Sequence, residues 1–123
     1  MSRAQKQLKA LSIVMVLLGV FFVAFTLVHF AFAANDPAVV LLALAALLTF
    51  FDIMLSVMGI GAANVPVRAG KILPILLVAL LVNLAAAIYY LSLPGTWPPV
   101  VVNAVVTSLF AGAARAVYRE ALQ

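Results

Sequence analysis

Residues 38–61 read AVVLLALAALLTFFDIMLSVMGIG, an apolar run with a single ionisable side chain, Asp52. The run is long enough to cross the hydrocarbon core of a bilayer as one helix. Its thirteen Leu, Ile, Phe and Val residues contribute roughly −4 to −8 kcal/mol to insertion, against about +2.5 to +3.5 kcal/mol for a central acid. The sequence therefore predicts a membrane helix that inserts in spite of Asp52 and turns the acid toward other protein.

The small and polar residues of this run share one helical face. They follow one another at steps of three or four, a spacing that stacks side chains along a helix. Small and polar residues favour contact with other helices over contact with lipid. We therefore expect five residues to point into a bundle: Ala45, Thr49, Asp52, Ser56 and Gly59.

The composition of the chain requires lipid as its main solvent. Of its 123 residues, 68% are hydrophobic and 8% are charged, whereas soluble domains are closer to half apolar and a quarter charged. The chain has no cysteine, which excludes disulfides, iron–sulfur clusters and thiolate metal sites. Its net charge of +4 comes from basic residues beside apolar segments. This pattern is typical of membrane topology, so we expect membrane lipid and no nucleic acid as a partner.

Three more apolar segments are long enough to span a bilayer. With 38–61, they predict spans at about 10–33, 72–93 and 99–118, separated by turn-forming residues. The predicted fold class is an all-α integral membrane protein. It is a compact bundle of four transmembrane helices with short loops, and it forms one domain over residues 1–123.

Local signals predict where these helices begin. Asp36 is expected to cap the second helix, and Pro37 fits its first position. The third helix is expected to start near Ile72, with Pro74 in its first turn. Ala33 ends an Ala-Phe-Ala sequence that resembles a cleavage site. The apolar run before it exceeds the about 7–15 residues of a signal-peptide core, so we expect the segment to be retained.

The basic residues predict the orientation of the bundle. With four spans, all of them fall on one side of the membrane, and the other side has none. The positive-inside rule then puts both termini and the middle loop in the cytoplasm, in the inner (plasma) membrane of the cell. The basic residues are Arg3, Lys6, Lys9, Arg68, Lys71, Arg115 and Arg119.

Candidate polar residues gather near the middle of the membrane. At about 1.5 Å of rise per residue, Asp52, Asn83 and Thr107 lie within one turn of the midplane, and Thr49 and Ser56 share the face of Asp52. Asn83 is the expected partner of Asp52, which we expect to be neutral or hydrogen-bonded. Two interpretations remain open: a proton or cation site, or a polar clasp that fixes the register of two helices.

The fourth span carries a stripe of small residues at strict steps of four. Such a stripe lets two helix backbones approach closely. The spacing predicts a close helix contact, with a partner helix in the same chain or in another. The stripe consists of Ala104, Ser108, Gly112 and Ala116.

No combination of residues predicts catalysis or a cofactor. His29 is the single histidine, which fits an interfacial residue better than a pH switch or a haem ligand. The chain offers no nucleophile beside a base and no paired carboxylates. We expect no enzyme, no metal and no cofactor.

Three functions fit this sequence. The first is an accessory or assembly subunit of a larger membrane complex, which needs only helices, close-packing stripes and anchors. The second is a small oligomeric transporter or channel that uses Asp52. The third is a membrane-permeabilising protein of the holin type. The expected partners are therefore other membrane subunits or further copies of this chain.

The charge distribution yields a test of topology. A reporter that is active only outside the cytoplasm should be silent when fused after Gln123 and active when inserted at 94–99. Activity of the fusion after Gln123 would contradict an even number of spans with cytoplasmic termini.

Overall fold

The structure, a computed structural model, describes residues 2–32, 38–92 and 97–123. Each of its four long helices contains a stretch long and apolar enough to cross a membrane. The predicted fold class, an all-α membrane bundle of four helices, is thereby confirmed. The helices are α1 (Arg3–Phe32), α2 (Ala38–Asn64), α3 (Ala69–Leu91) and α4 (Trp97–Ala121), with a 3₁₀ turn at Pro66–Arg68.

Some predicted turns lie outside the described residues. This applies to Asp36 and Pro37, expected at the start of α2, and to Ala33 with its cleavage motif. It also applies to residues 93–96 of the loop between α3 and α4.

The third helix begins earlier than the sequence predicts. It starts at Ala69 instead of near Ile72, so Pro74 lies inside the helix. The 3₁₀ turn leads directly into α3, because the Ala69 N–H donates to the carbonyls of Pro66 and Val67. Proline lacks an N–H and therefore removes one helical bond. Pro74 is exposed, and the helical bond that it removes is the one to the Gly70 carbonyl.

The four helices pack in chain order around the bundle. α1 packs on α2, α2 on α3, α3 on α4, and α4 on α1, while α2 and α4 also touch across the centre. The outer surface is apolar, as in Leu17, Val57 and Leu77, each more than three-fifths exposed. Such a surface suits lipid, which satisfies apolar side chains without burying them in protein.

Two apolar clusters fill the interior. One lies toward the termini and includes Leu8, Leu55 and Phe110. The other lies toward the opposite end and includes Phe22 and Leu48. On α2, α3 and α4, buried polar residues lie between the segments that supply the two clusters, and they form a polar layer. The members of this layer are Asp52, Asn83, Asn103 and Thr107.

Hydrogen bonds close the bundle at the end that carries the termini. Ser2 caps α1 reciprocally with Gln5: the Gln5 N–H donates to Ser2 Oγ, and the Ser2 N–H donates to Gln5 Oε1. Gln5 Nε2 also donates to the Ala63 carbonyl of α2 at 2.8 Å. Ser2 Oγ donates to Glu120 Oε2 of α4 at 2.7 Å. The first turn of α1 is therefore tied to the last turns of α2 and α4.

Gly59 sets the closest approach of three helices. A Cβ at this position would lie 2.7 Å from Cε2 of Phe110 on α4 and would overlap Oγ of Ser12 on α1. Ser12 is buried and donates to the Leu8 carbonyl of its own helix. The absence of a side chain at Gly59 thus lets α1 and α4 both approach α2.

We predict that Gly59→Ala lowers the thermal stability of the purified protein, because the added methyl must displace the Phe110 ring. Gly61→Ala is the matched control, since its Cβ would meet only Arg68 Nη1, at 3.9 Å. In a helix interior, alanine is favoured over glycine by about 1 kcal/mol, so the control should melt at the same or a higher temperature. Equal melting of the two variants would contradict the three-helix contact.

Candidate functional site: a polar layer in the middle of the bundle

Asp52 lies in the interior of the bundle, with 1% of its surface exposed. α1 passes close to it at Gly19, where a Cβ would lie 3.6 Å from Asp52 Cβ and 3.3 Å from Ile53 Cγ1. The small residue on α1 therefore allows that helix to cover the acid. This arrangement keeps the carboxyl away from lipid, as the cost of an exposed acid in hydrocarbon requires.

Asn103 is the direct polar neighbour of Asp52. One amide atom of Asn103 lies 2.6 Å from Asp52 Oδ2 and 3.1 Å from Asp52 Oδ1. The other lies 2.7 Å from Oδ1 of Asn83. Asn83 Nδ2 in turn donates to the Ala79 carbonyl at 2.9 Å. The contacts therefore run from α2 through α4 to α3.

The sequence predicted Asn83 as the partner of Asp52, and the structure places Asn103 between the two. Asn103 is buried completely, and it is not among the candidates predicted from the sequence. The sequence did contain a signal for Asn103, because an asparagine in an otherwise apolar stretch of a span is rare enough to indicate a helix contact. Depth alone favoured Thr107, one turn further along α4.

The other polar candidates of α2 contribute less to this layer. Ser56 is buried, and its Oγ donates to the Ile53 carbonyl of the same helix at 2.7 Å. Thr49 is only partly buried. Among the described hydrogen bonds, those of Asn83 and Asn103 involve neither residue, so the layer depends on Asp52 and those two amides.

Thr107 is buried without a polar partner. Its Oγ1 forms no hydrogen bond within the part of the chain that the structure describes. It lies one turn from Asn103 on the same face of α4. A buried hydroxyl without a partner loses its hydration and gains nothing in return.

The small-residue stripe of α4 lies apart from this layer. Ser108 and Gly112 are exposed, and Ala104 and Ala116 are partly buried. Apart from the adjoining residues and backbone of α4 itself, no described atom lies within 4 Å of the position that a Cβ on Gly112 would take. Ser108 Oγ donates to the Ala104 carbonyl at 2.8 Å, so its hydroxyl is satisfied within α4. The stripe therefore forms part of the outer surface of the bundle.

The side chains of the polar layer suit two roles: they can bind a proton, and they can join helices through hydrogen bonds. A carboxyl group can donate or accept a hydrogen bond, and each amide can do both at once. Within the described ranges, no group of three His, Cys, Asp or Glu side chains could hold a metal ion. The side chain of His29 lies outside the described part of the chain.

No family model, no curated protein and no solved structure matches this chain.

We predict that Thr107→Val raises the free energy of unfolding in detergent by about 1 kcal/mol, because the variant removes a buried hydroxyl that has no partner. Ser108→Ala on the same helix is the control and should leave stability unchanged, since that hydroxyl is exposed. A loss of stability in Thr107→Val would show that Oγ1 has a partner in the native protein, such as a bound water.

Proposed function

We propose that this chain is an accessory or assembly subunit of a larger membrane complex. The outward-facing stripe of α4 is the observation that carries the proposal. Its small side chains would let a transmembrane helix of another subunit pack against α4 with close backbone approach. We propose that one such helix packs there.

The use of glycine inside the bundle supports this proposal. Three glycines lie where a neighbouring helix or helix end leaves little room for a side chain, whereas Gly61, at the end of α2, and Gly112, in the middle of the α4 span, have open surroundings. A glycine in a helix interior is unfavourable by about 1 kcal/mol relative to alanine, so a contact outside the chain would account for it. The three enclosed pairs are Gly19 with Ile53, Gly59 with Phe110, and Gly70 with Tyr118.

The composition of α4 supports the same proposal. It is the least apolar of the four helices. Its outward face carries Ser108 and Gly112 among exposed apolar residues such as Leu109. A helix that met only lipid would gain from large apolar side chains at these positions.

The orientation that we propose has both termini in the cytoplasm of the plasma membrane. The basic residues are exposed, and they lie toward the end of the bundle that holds the termini and the 3₁₀ turn. Basic residues beside a span are attracted to the anionic lipids of the cytoplasmic leaflet by about 1 kcal/mol each. The same attraction would hold the subunit at a fixed depth in the complex.

We predict that the tagged chain, purified from its native membrane in mild detergent, brings other membrane subunits with it in fixed stoichiometry. Gly112→Leu should abolish this co-purification, because the larger side chain separates the two helices. Ala85→Leu introduces the same side chain at an exposed position of α3 and should retain the partners. Both variants should melt at the wild-type temperature or above it, since neither position is enclosed and a helical glycine is unfavourable.

Purification of the wild type as a homo-oligomer alone would contradict the accessory function. That result would favour the transporter or channel, in which Asp52 serves as a proton or cation site, or the holin-like protein. Ion flux into vesicles would then separate these two, because Asp52→Asn should stop a selective flux and leave an unselective leak intact.

A further inference from the structure

We propose that Asp52 holds a proton and donates it to Oδ1 of Asn103, so that the polar layer is a proton-binding site. The hydrogen bonds then form one directed chain across three helices. This inference is independent of the proposed function, because it rests on the interior of the bundle and not on the outer face of α4.

The directed chain consists of three hydrogen bonds, each from a donor to an acceptor. The Asp52 hydroxyl donates to Asn103 Oδ1 across 2.6 Å. Asn103 Nδ2 donates to Asn83 Oδ1 across 2.7 Å, and Asn83 Nδ2 donates to the Ala79 carbonyl. Both distances fall within the range of hydrogen bonds. The chain ends on a helix carbonyl, which has a second lone pair to accept with.

An ionised Asp52 leaves two oxygen atoms in contact. To donate a hydrogen bond to a carboxylate, the Asn103 amide must rotate so that Nδ2 faces Asp52. Its Oδ1 then lies 2.7 Å from Asn83 Oδ1, with no proton between them. Rotating the Asn83 amide as well would place its Oδ1 2.9 Å from the Ala79 carbonyl oxygen, again with no proton between the two oxygens. With the proton on Asp52 Oδ2, each of the three close contacts joins a donor to an acceptor, and the remaining oxygen contact, Asp52 Oδ1 with Asn103 Oδ1, is longer at 3.1 Å.

The spacing of the oxygen atoms fits a proton and not a metal ion. Ligand oxygens lie about 2.0–2.1 Å from magnesium and about 2.3–2.6 Å from calcium. Adjacent oxygens from different residues around such an ion are therefore about 3 Å apart or more, by the same geometry. The 2.6 Å separation at Asp52 is the length of a hydrogen bond between two oxygens.

Among the described residues, no charged side chain faces Asp52 to replace the proton. The neighbours facing it are Gly19 from α1 and Asn103 from α4, with Asn83 of α3 behind Asn103. The basic residues and Glu120 are exposed. Among the described titratable groups, Tyr90 packs in the apolar cluster on the side of the layer away from the termini. The proton is therefore the group that completes the layer.

The orientation of both amides depends on whether Asp52 holds the proton. Its removal would require Asn103 to turn, and Asn83 would have to turn or tolerate an oxygen contact. Two contacts between helices belong to this chain, α2 with α4 and α4 with α3, so loss of the proton would loosen both together.

Infrared spectroscopy of the full chain in lipid vesicles at pH 7 tests the proposal. In an Asp36→Asn, Glu120→Gln background, Asp52 is the single remaining side-chain carboxyl. We expect a C=O stretch of a protonated carboxyl that shifts in D2O and disappears with Asp52→Asn. Asn103→Val should move the band to higher frequency by removing its acceptor, and Ser108→Ala should leave it unchanged. A carboxylate band lost with Asp52→Asn, or an acid band that Asn103→Val does not move, would overturn the proposal.

Solid-state NMR of the wild type tests the same point without a variant that must fold. The chain is labelled with ¹³C in the Asp carboxyls and with ¹⁵N in the Asn side-chain amides. In the proposed arrangement, Nδ2 of Asn103 faces Asn83, so its dipolar coupling to the Asp52 carboxyl carbon should be weak. A strong coupling would place Nδ2 against Asp52 and would overturn the proposal.

Discussion

The rest of the structure depends on the burial of one carboxyl group in a chain whose main solvent is lipid. An acid exposed to hydrocarbon would remove much of the insertion free energy of its own helix. Asp52 avoids that cost because Asn103 meets its oxygen atoms from α4 and α1 covers it at Gly19. The polar contact also fixes the depth of α2 relative to α4, since a shift of one turn would separate the two groups by about 5.4 Å.

Apolar packing on both sides makes this contact stable. Leu48 lies one turn before Asp52 and Leu55 nearly one turn after it, and each is fully buried in its own cluster. Water is thereby kept from the carboxyl and from the two amides, which strengthens their hydrogen bonds and raises the cost of leaving any of them unpaired. Gly59 contributes by letting the helices come close enough for the clusters to close.

The outer surface differs from the interior in its residue composition. Large apolar residues cover most of it, because lipid accepts them without specific contacts. The outward face of α4 departs from this pattern with Ser108 and Gly112. The membrane helices thus carry two groups of polar or small residues. The polar layer is enclosed by the bundle, and the stripe of α4 lies on the outer surface.

The sequence by itself determined the fold class and the small, polar face of α2, because hydrophobic length and helical periodicity depend only on local order along the chain. It also placed Asp52 and Asn83 at similar depth. It did not determine that Asn103 lies between them, because the relative depth of two helices depends on tilt and packing that span midpoints do not contain. In the same way, the step of four predicted the stripe at Gly112, but only the tertiary structure decided that it faces outward. The rotation of α4 is fixed by the burial of Asn103 and Phe110 on its opposite face.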